Sequence, residues 1–283
     1  MAGVDGNDIA LTGVPRGGTT LACRLMGKAP GCVALFEPMD PATLPAERGP
    51  ALDEVQAFFA ACRRRLEQEG AAPSKHRDGG IPDNPFAAPD AQGRRQGVVT
   101  HGLLEIDPPA PGFTLAIKHN ASFTALLPAL ARRMRVVAVV RNPLAVLASW
   151  NTVDLPVRDG RIPAGEHFDP DLATRLEEEP DRLDRQLIVL DWFFRRFREA
   201  GDAIRVVRYE AIVATHGQAL YSAAGVQGDG DRSLRERNGS QAYKGIDVAS
   251  LARRLASCDG AWRHWYAQPE IEDVGQRLGA PPA

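Results

Sequence analysis

The chain has little cysteine and no uninterrupted apolar run of membrane length. Its four cysteines, Cys23, Cys32, Cys62 and Cys258, show no C-x-x-C spacing and no dense framework. That excludes a sequence-coded zinc site or disulfide scaffold and leaves them expected as reduced thiols. The most apolar long window, 136–150, contains Arg141, Asn142 and Pro143, so no membrane span is expected. Residues 1–8 are polar and lack a basic region followed by an apolar stretch; no signal peptide is expected, and the location expected is cytoplasmic. Charge of one sign is also lacking. Lys plus Arg number 34 against 36 Asp plus Glu, a net charge of −2, which argues against general nucleic-acid binding but leaves room for a local basic pocket. No internal repeat and no domain boundary stand out. A chain of 283 residues can bury one large core, and a single domain over 1–283 is expected.

What the chain does have is alternation. Apolar runs suited to strands fall at 8–14, 32–36, 113–118, 136–140 and 204–209. Helical patterns fall between them, at 19–28, 122–133 (capped by Asn120 or Ser122), 143–150 and along Leu183, Leu187, Leu190, Phe194 and Phe197. A further amphipathic helix is expected over 52–69, with Leu52, Val55, Phe58, Phe59, Cys62 and Leu66 on one face. Alternating strands and helices imply an α/β fold, a three-layer sandwich around a central parallel sheet of four or five strands. Residues 70–112 are rich in Pro, Gly and charge; a loop of that length is expected to be a functional flap or disorder. Residues 152–170 are expected to be irregular. Trp192, Phe193 and Phe194 read as packing, and Arg63-Arg64-Arg65 as the wet face of its helix.

Two segments carry chemistry. The first, Ile9-Ala-Leu-Thr-Gly-Val-Pro-Arg-Gly-Gly-Thr-Thr20, is an apolar run, a glycine loop and a helix start. Glycines let backbone N–H groups turn inward, and a helix N-terminus adds partial positive charge, so this geometry suits an anion. Gly13 and Gly18 have the spacing of the phosphate-loop pattern G-x-x-x-x-G-K-[ST], but Thr19 stands where the lysine belongs. The cation within the loop is Arg16. In the second segment, Arg135-Val-Val-Ala-Val-Val-Arg-Asn-Pro-Leu-Ala-Val-Leu-Ala-Ser-Trp150, the apolar run ends in Arg141, where a metal-dependent phosphoryl-transfer site would offer an aspartate. Asn142-Pro143 can cap and open a helix that carries Ser149. Because ligands of open α/β sheets sit at the carboxyl ends of the strands, Arg16, Glu37, Lys118, His119, Arg141 and Arg208-Tyr209 are expected to gather on one edge.

These segments resemble the sulfotransferases that use 3′-phosphoadenosine 5′-phosphosulfate, in particular the Pro-Arg-x-Gly-Thr-Thr-Leu branch that includes protein-tyrosine sulfotransferases and many bacterial enzymes. The resemblance covers residues 8–40 and 113–151, with weaker similarity to about 245. It implies a P-loop-type fold and a 5′-phosphosulfate loop made of Pro15, Arg16, Gly17, Gly18, Thr19, Thr20 and Leu21. It implies a 3′-phosphate pair of Arg141 and Ser149, eight positions apart, nucleotide contacts from Tyr209, and a late loop at Lys244-Gly245 that closes on the nucleotide. Arg16 would stabilise charge on the leaving phosphate. The general base is left between Glu37, 21 positions after Arg16, and His119, where Lys118-His119 resembles the Lys-Thr-His run of cytosolic members with one residue missing. Lys118 would contact the sulfuryl group or the acceptor. The implied activity is sulfuryl transfer, without a metal, to a hydroxyl of a carbohydrate or small metabolite, releasing adenosine 3′,5′-bisphosphate. The rival readings are a metal-dependent P-loop kinase and a non-catalytic nucleotide-binding module.

Overall fold

A computed structural model describes residues 6–90, 94–236, 243 and 245–279. β1 (Asp8–Gly13) leads through the glycine loop into α1 (Thr19–Lys28), and β2 (Cys32–Phe36) follows. Next come α2 (Arg48–Glu69) and an antiparallel ribbon of β3 (Ala71–His76) and β4 (Thr100–Glu105). β5 (Thr114–Lys118), α3 (Ala121–Ala125), β6 (Arg135–Val140) and α4 (Pro143–Trp150) return the chain to the central sheet. α5 (Pro163–Glu166), α6 (Pro170–Glu178) and α7 (Arg182–Ala200) precede β7 (Arg205–Arg208). α8 (Tyr209–Ala214), α9 (Gln218–Ala224), α10 (Val248–Ala256) and α11 (Gln268–Gly279) close the described chain. No helix among the described residues is long and apolar enough to cross a membrane.

The central sheet has five strands in the order β2-β5-β1-β6-β7, and every pairing is parallel. With helices on both faces this is an α/β three-layer sandwich of P-loop type. Charge-free runs such as Val136–Val140 suit it, because strands covered on both sides must be apolar throughout. Side chains alternate between the faces. Ile9, Leu11, Val137 and Val139 pack with Leu25, Met26, Ile212 and Leu220 of α1, α8 and α9. Ala10, Val136, Ala138 and Val140 pack with Val55, Phe59, Leu147, Phe193 and Phe194 of α2, α4 and α7. The aromatic cluster of α7 is therefore packing, as its helical spacing indicates.

Parallel pairing turns all five carboxyl ends to one edge. The chain runs outward from β1 to β2 on one side, while β6 and β7 lie on the other, so the switch point falls at β1 and β6. There Gly13 pairs with Val139, and Val14 N–H donates to Val139 O at 3.1 Å. α4 starts as expected: Asn142 Oδ1 accepts from Leu144 N–H at 3.1 Å and Pro143 fills the first helical position.

Four expectations need correction. The helix expected over 122–133 stops at Ala125, and only a 3-10 turn at Leu130–Arg132 follows. Pro128 lies between them, and proline removes a donor and clashes with the preceding turn of a helix. Residues 70–112 are not one loop, since β3 and β4 occupy both ends and Phe86 bridges Gly97 in between. Segment 152–170 holds a 3-10 turn at Pro156–Asp159 and the single turn of α5. Finally, Arg63 does not face water: it pairs with Asp8, donates to Phe113 O at 2.9 Å and lies 4.4 Å above the Phe113 ring. Arg64 is exposed and Arg65 pairs with Glu69 within the helix. Arg63→Ala is expected to cost about 2 kcal/mol, the scale for losing hydrogen bonds to a charged group, read as a lower denaturant midpoint. An unchanged midpoint would show that this contact does not hold α2 to the start of β1.

Candidate functional site

The glycine loop is shaped by close approaches. Gly13 has φ +148°, and a Cβ there would lie 2.2 Å from Val139 O. Gly18 has φ +94°, and a Cβ would lie 2.5 Å from Cδ2 of Tyr209. Between them Gly17 N–H donates to Val14 O at 2.8 Å, and Trp150 Nε1–H donates to Pro15 O at 2.8 Å, pinning the loop to α4. Arg16 takes φ +66°, a left-handed conformation that side chains rarely adopt. α1 begins at Thr19, so the N–H groups of its first turn have no intrahelical acceptor. Thr19, Thr20 and Leu21 line a cavity of about 740 Å³.

That cavity spans the carboxyl edge of the sheet, and each strand end contributes to it. Pro15, Arg16, Gly18, Thr19 and Thr20 enter after β1, Glu37 after β2, Lys118 at the end of β5, Arg141 after β6 and Tyr209 after β7. Seven cationic side chains line it (Arg16, Arg24, Lys75, Arg95, Lys118, Arg141 and Arg235) against three carboxylates (Glu37, Asp83 and Asp154). A chain with net charge −2 thus gathers positive charge at one place, which focuses the field on anions. Tyr243 reports that field: burial raises a phenol's pKa, yet Arg141, Arg16 and Arg95 together lower it below the usual value. Arg141 is 6% exposed, donates to Arg16 O at 3.2 Å and to the Tyr243 hydroxyl at 3.3 Å, and lies 4.8 Å above the Tyr209 ring. Tyr209 therefore serves both the core, at 5% exposure, and the cavity wall. Burial, then Arg95 and Arg141, lower Arg16 to about 9; it remains a cation at neutral pH.

Three expected site residues stand apart from the lining. Gly17 shapes the turn. Ser149 does not stand beside Arg141 in the wall; its hydroxyl accepts from Arg16 Nε at 3.1 Å. His119 is 3% exposed, packs edge-on against Phe123, and its Nε2 accepts the N–H of Met39 at 3.2 Å. Burial is the main force that pushes it down to about 3, so it is a neutral imidazole whose Nε2 is already engaged. Lys244 lies outside the described residues.

Glu37 is the opposite case. It also sits at positive φ, +44°, with its N–H bonded to Lys118 O at 2.9 Å. Its Oε1 accepts from Lys118 Nζ at 2.5 Å and its Oε2 from Lys75 Nζ at 2.7 Å. Burial alone would raise this carboxyl; Lys118 and then Lys75 overcome that and hold it well below the usual carboxylate range. Lys118 is 3% exposed at its side chain and Lys75 38%, so Lys75 is the partner able to move away. β3 is registered for this contact by Ser74, whose hydroxyl accepts Phe36 N–H at 3.0 Å.

Lys75, Asn84, Phe86, Arg95 and Tyr243 all line the cavity and were not singled out from sequence. The first four lie in the Pro/Gly-rich stretch, where no periodicity marks an inward-facing position; Tyr243 adjoins Lys244, which was. A scan of protein-family models gives no match to this chain, and no curated protein matches it.

Removing one ammonium must destabilise the carboxylate, so Lys75→Met is expected to raise the Glu37 pKa, seen as a higher midpoint in a carboxyl-carbon NMR titration. A carboxyl depressed in the fold adds stability above its unfolded value of about 4. That stability fades as pH falls toward the folded value, so the variant should also lose less stability on acidification. An unmoved Glu37 titration would show that Lys75 does not hold the carboxylate.

Proposed function

We propose that this chain is a sulfotransferase of the 3′-phosphoadenosine 5′-phosphosulfate-dependent kind, transferring a sulfuryl group to a hydroxyl of a carbohydrate or small metabolite. The observation that carries the reading is the shared edge: the glycine loop, Arg141 and a lysine-clamped Glu37 line one cation-rich cavity. An uncapped helix start suits a 5′-phosphate. Arg141, fixed by Tyr209 and Tyr243, suits the 3′-phosphate. Ser149 supports this pocket through Arg16. The residue that follows β6 is a cation, where metal-dependent phosphoryl transfer calls for a carboxylate.

Arg16 then stabilises the negative charge that grows on the leaving phosphate as the sulfur–oxygen bond breaks. Preorganised charge of this sort contributes about 3 kcal/mol per donor. Glu37 accepts the proton of the attacking hydroxyl. Both its oxygens are engaged, so acceptance follows loosening of the Lys75 contact, while buried Lys118 stays and offsets charge on the transferring group. The base role falls to Glu37 over His119, whose lone pair is already used by Met39 N–H.

Titration calorimetry with adenosine 3′,5′-bisphosphate tests the nucleotide pocket. Arg141→Ala is expected to weaken binding by about 2–4 kcal/mol, the scale for a lost charge-assisted contact; unchanged affinity would remove Arg141 from the site. Turnover is tested by an acceptor screen with isotopically labelled donor, read by mass spectrometry and repeated in EDTA. Glu37→Gln is expected to abolish transfer while the bisphosphate still binds. Persisting transfer in Glu37→Gln, or its loss in EDTA, would overturn the base assignment or the metal-independent reading respectively.

A further inference from the structure

Arg16 is a long side chain on a strained residue, yet it is held from three sides. Its Nε–H donates to Ser149 Oγ at 3.1 Å. Its two terminal nitrogens stand 3.5 and 3.4 Å from Asn84 Oδ1. Its guanidinium carbon lies 4.4 Å from the centre of the Phe86 ring. A guanidinium has five N–H donors; Ser149 takes one and Asn84 faces two, which leaves two for an anion in the cavity.

The two suppliers are tied together. Asn84 Nδ2–H donates to Phe86 O at 3.2 Å, Ala87 N–H to Gln96 O at 2.9 Å and Val98 N–H to Pro85 O at 2.9 Å. Arg95 N–H donates to Thr152 O at 2.9 Å, and Arg95 forms a parallel bridge with Val153. Thr152 in turn donates its hydroxyl to Ser149 O at 2.9 Å. So the pairing across 84–98 rests on the exit of the same helix that presents Ser149. Phe86 belongs to neither apolar core cluster; a cation covers its face.

We propose that Phe86 and Asn84 are positioning residues for Arg16, and that with Ser149 they form one bracket that fixes the plane of the guanidinium inside the glycine loop. The inference rests on the reading of Arg16 as the charge-stabilising group. It extends that reading to a segment with no recognisable sequence pattern. Phe86 acts through the face of its ring, so apolar bulk alone does not replace it.

The test uses the full chain, arginine-selective NMR and calorimetry with adenosine 3′,5′-bisphosphate. Arg16→Lys identifies the Arg16 Nε–H resonance. In the wild-type chain this resonance is expected to be visible, displaced by the ring and slow to exchange. Phe86→Leu removes the displacement and speeds exchange, Phe86→Tyr restores both, and Asn84→Ala speeds exchange with the displacement partly kept. Phe86→Leu also weakens bisphosphate binding about fivefold, within the range of a cation–π contact, and has no such effect when Arg16 is already lysine. The proposal is overturned by a wild-type resonance lost to fast exchange, by Phe86→Leu and Phe86→Tyr behaving alike, or by the same fivefold loss in the Arg16→Lys background. If the wild-type chain binds no bisphosphate, the sulfuryl-transfer reading fails, and the NMR comparison still decides the bracket.

Discussion

Three of the five guanidiniums that line the cavity, Arg16, Arg95 and Arg141, are held close enough to repel one another, and keeping them there is the constraint on which the site depends. Burial first, and then Arg95 and Arg141, bring Arg16 down to about 9. Like charges gathered in a low-dielectric pocket are costly unless neighbouring groups offset them. The surrounding structure supplies what holds them there: aromatic faces under Arg16 and Arg141, the Ser149 hydroxyl, and main-chain oxygens at Arg16 and Ala87. A site that keeps its cations in place before the ligand arrives spends little reorganisation on binding it.

The parallel sheet makes this arrangement possible. Pairing of Phe36 with Lys118 brings Glu37 next to the end of β5, and pairing of Gly13 with Val139 brings the glycine loop next to Arg141. The same register therefore produces two different electrostatic ends. Toward β6 stand Arg16, Arg95 and Arg141, a cluster that suits a fixed polyanion. Toward β2 a carboxylate is balanced by two ammonium groups, one buried and one partly exposed. On the proposed reading that difference divides the labour: one end holds the nucleotide rigidly, and the other must exchange a proton and therefore keeps a partner that can leave.

Much of this was legible in the sequence, for physical reasons. Strands buried on both faces require charge-free runs, so 136–140 announced itself, and Arg141 stood out because it ends such a run. Gly13 and Gly18 are visible because only glycine tolerates their backbone angles beside Val139 and Tyr209. Glu37 and Lys118 follow from the same strand-end argument. The register of Ser149 was not legible: it lies two turns down α4, and only the path of the loop sends its hydroxyl to Arg16. His119 was ambiguous because a strand-end position does not say on which side of the sheet edge the ring lies; here it turns inward to Met39 N–H. Lys75, Asn84, Phe86 and Arg95 were hidden because their placement depends on long-range pairing to Phe36 and Thr152, and local pattern carries no trace of it. Pro128 was a readable signal that the 122–133 helix pattern overrode.

The most direct measurement is a crystal structure of the chain with adenosine 3′,5′-bisphosphate. The account predicts the 5′-phosphate against the first-turn N–H groups of Thr19, Thr20 and Leu21 and the 3′-phosphate within reach of the Arg141 guanidinium, with Arg16 still seated between Ser149 and Phe86. A bisphosphate bound elsewhere, or a phosphate loop and an Arg141 pocket both without it at saturating concentration, would contradict the account.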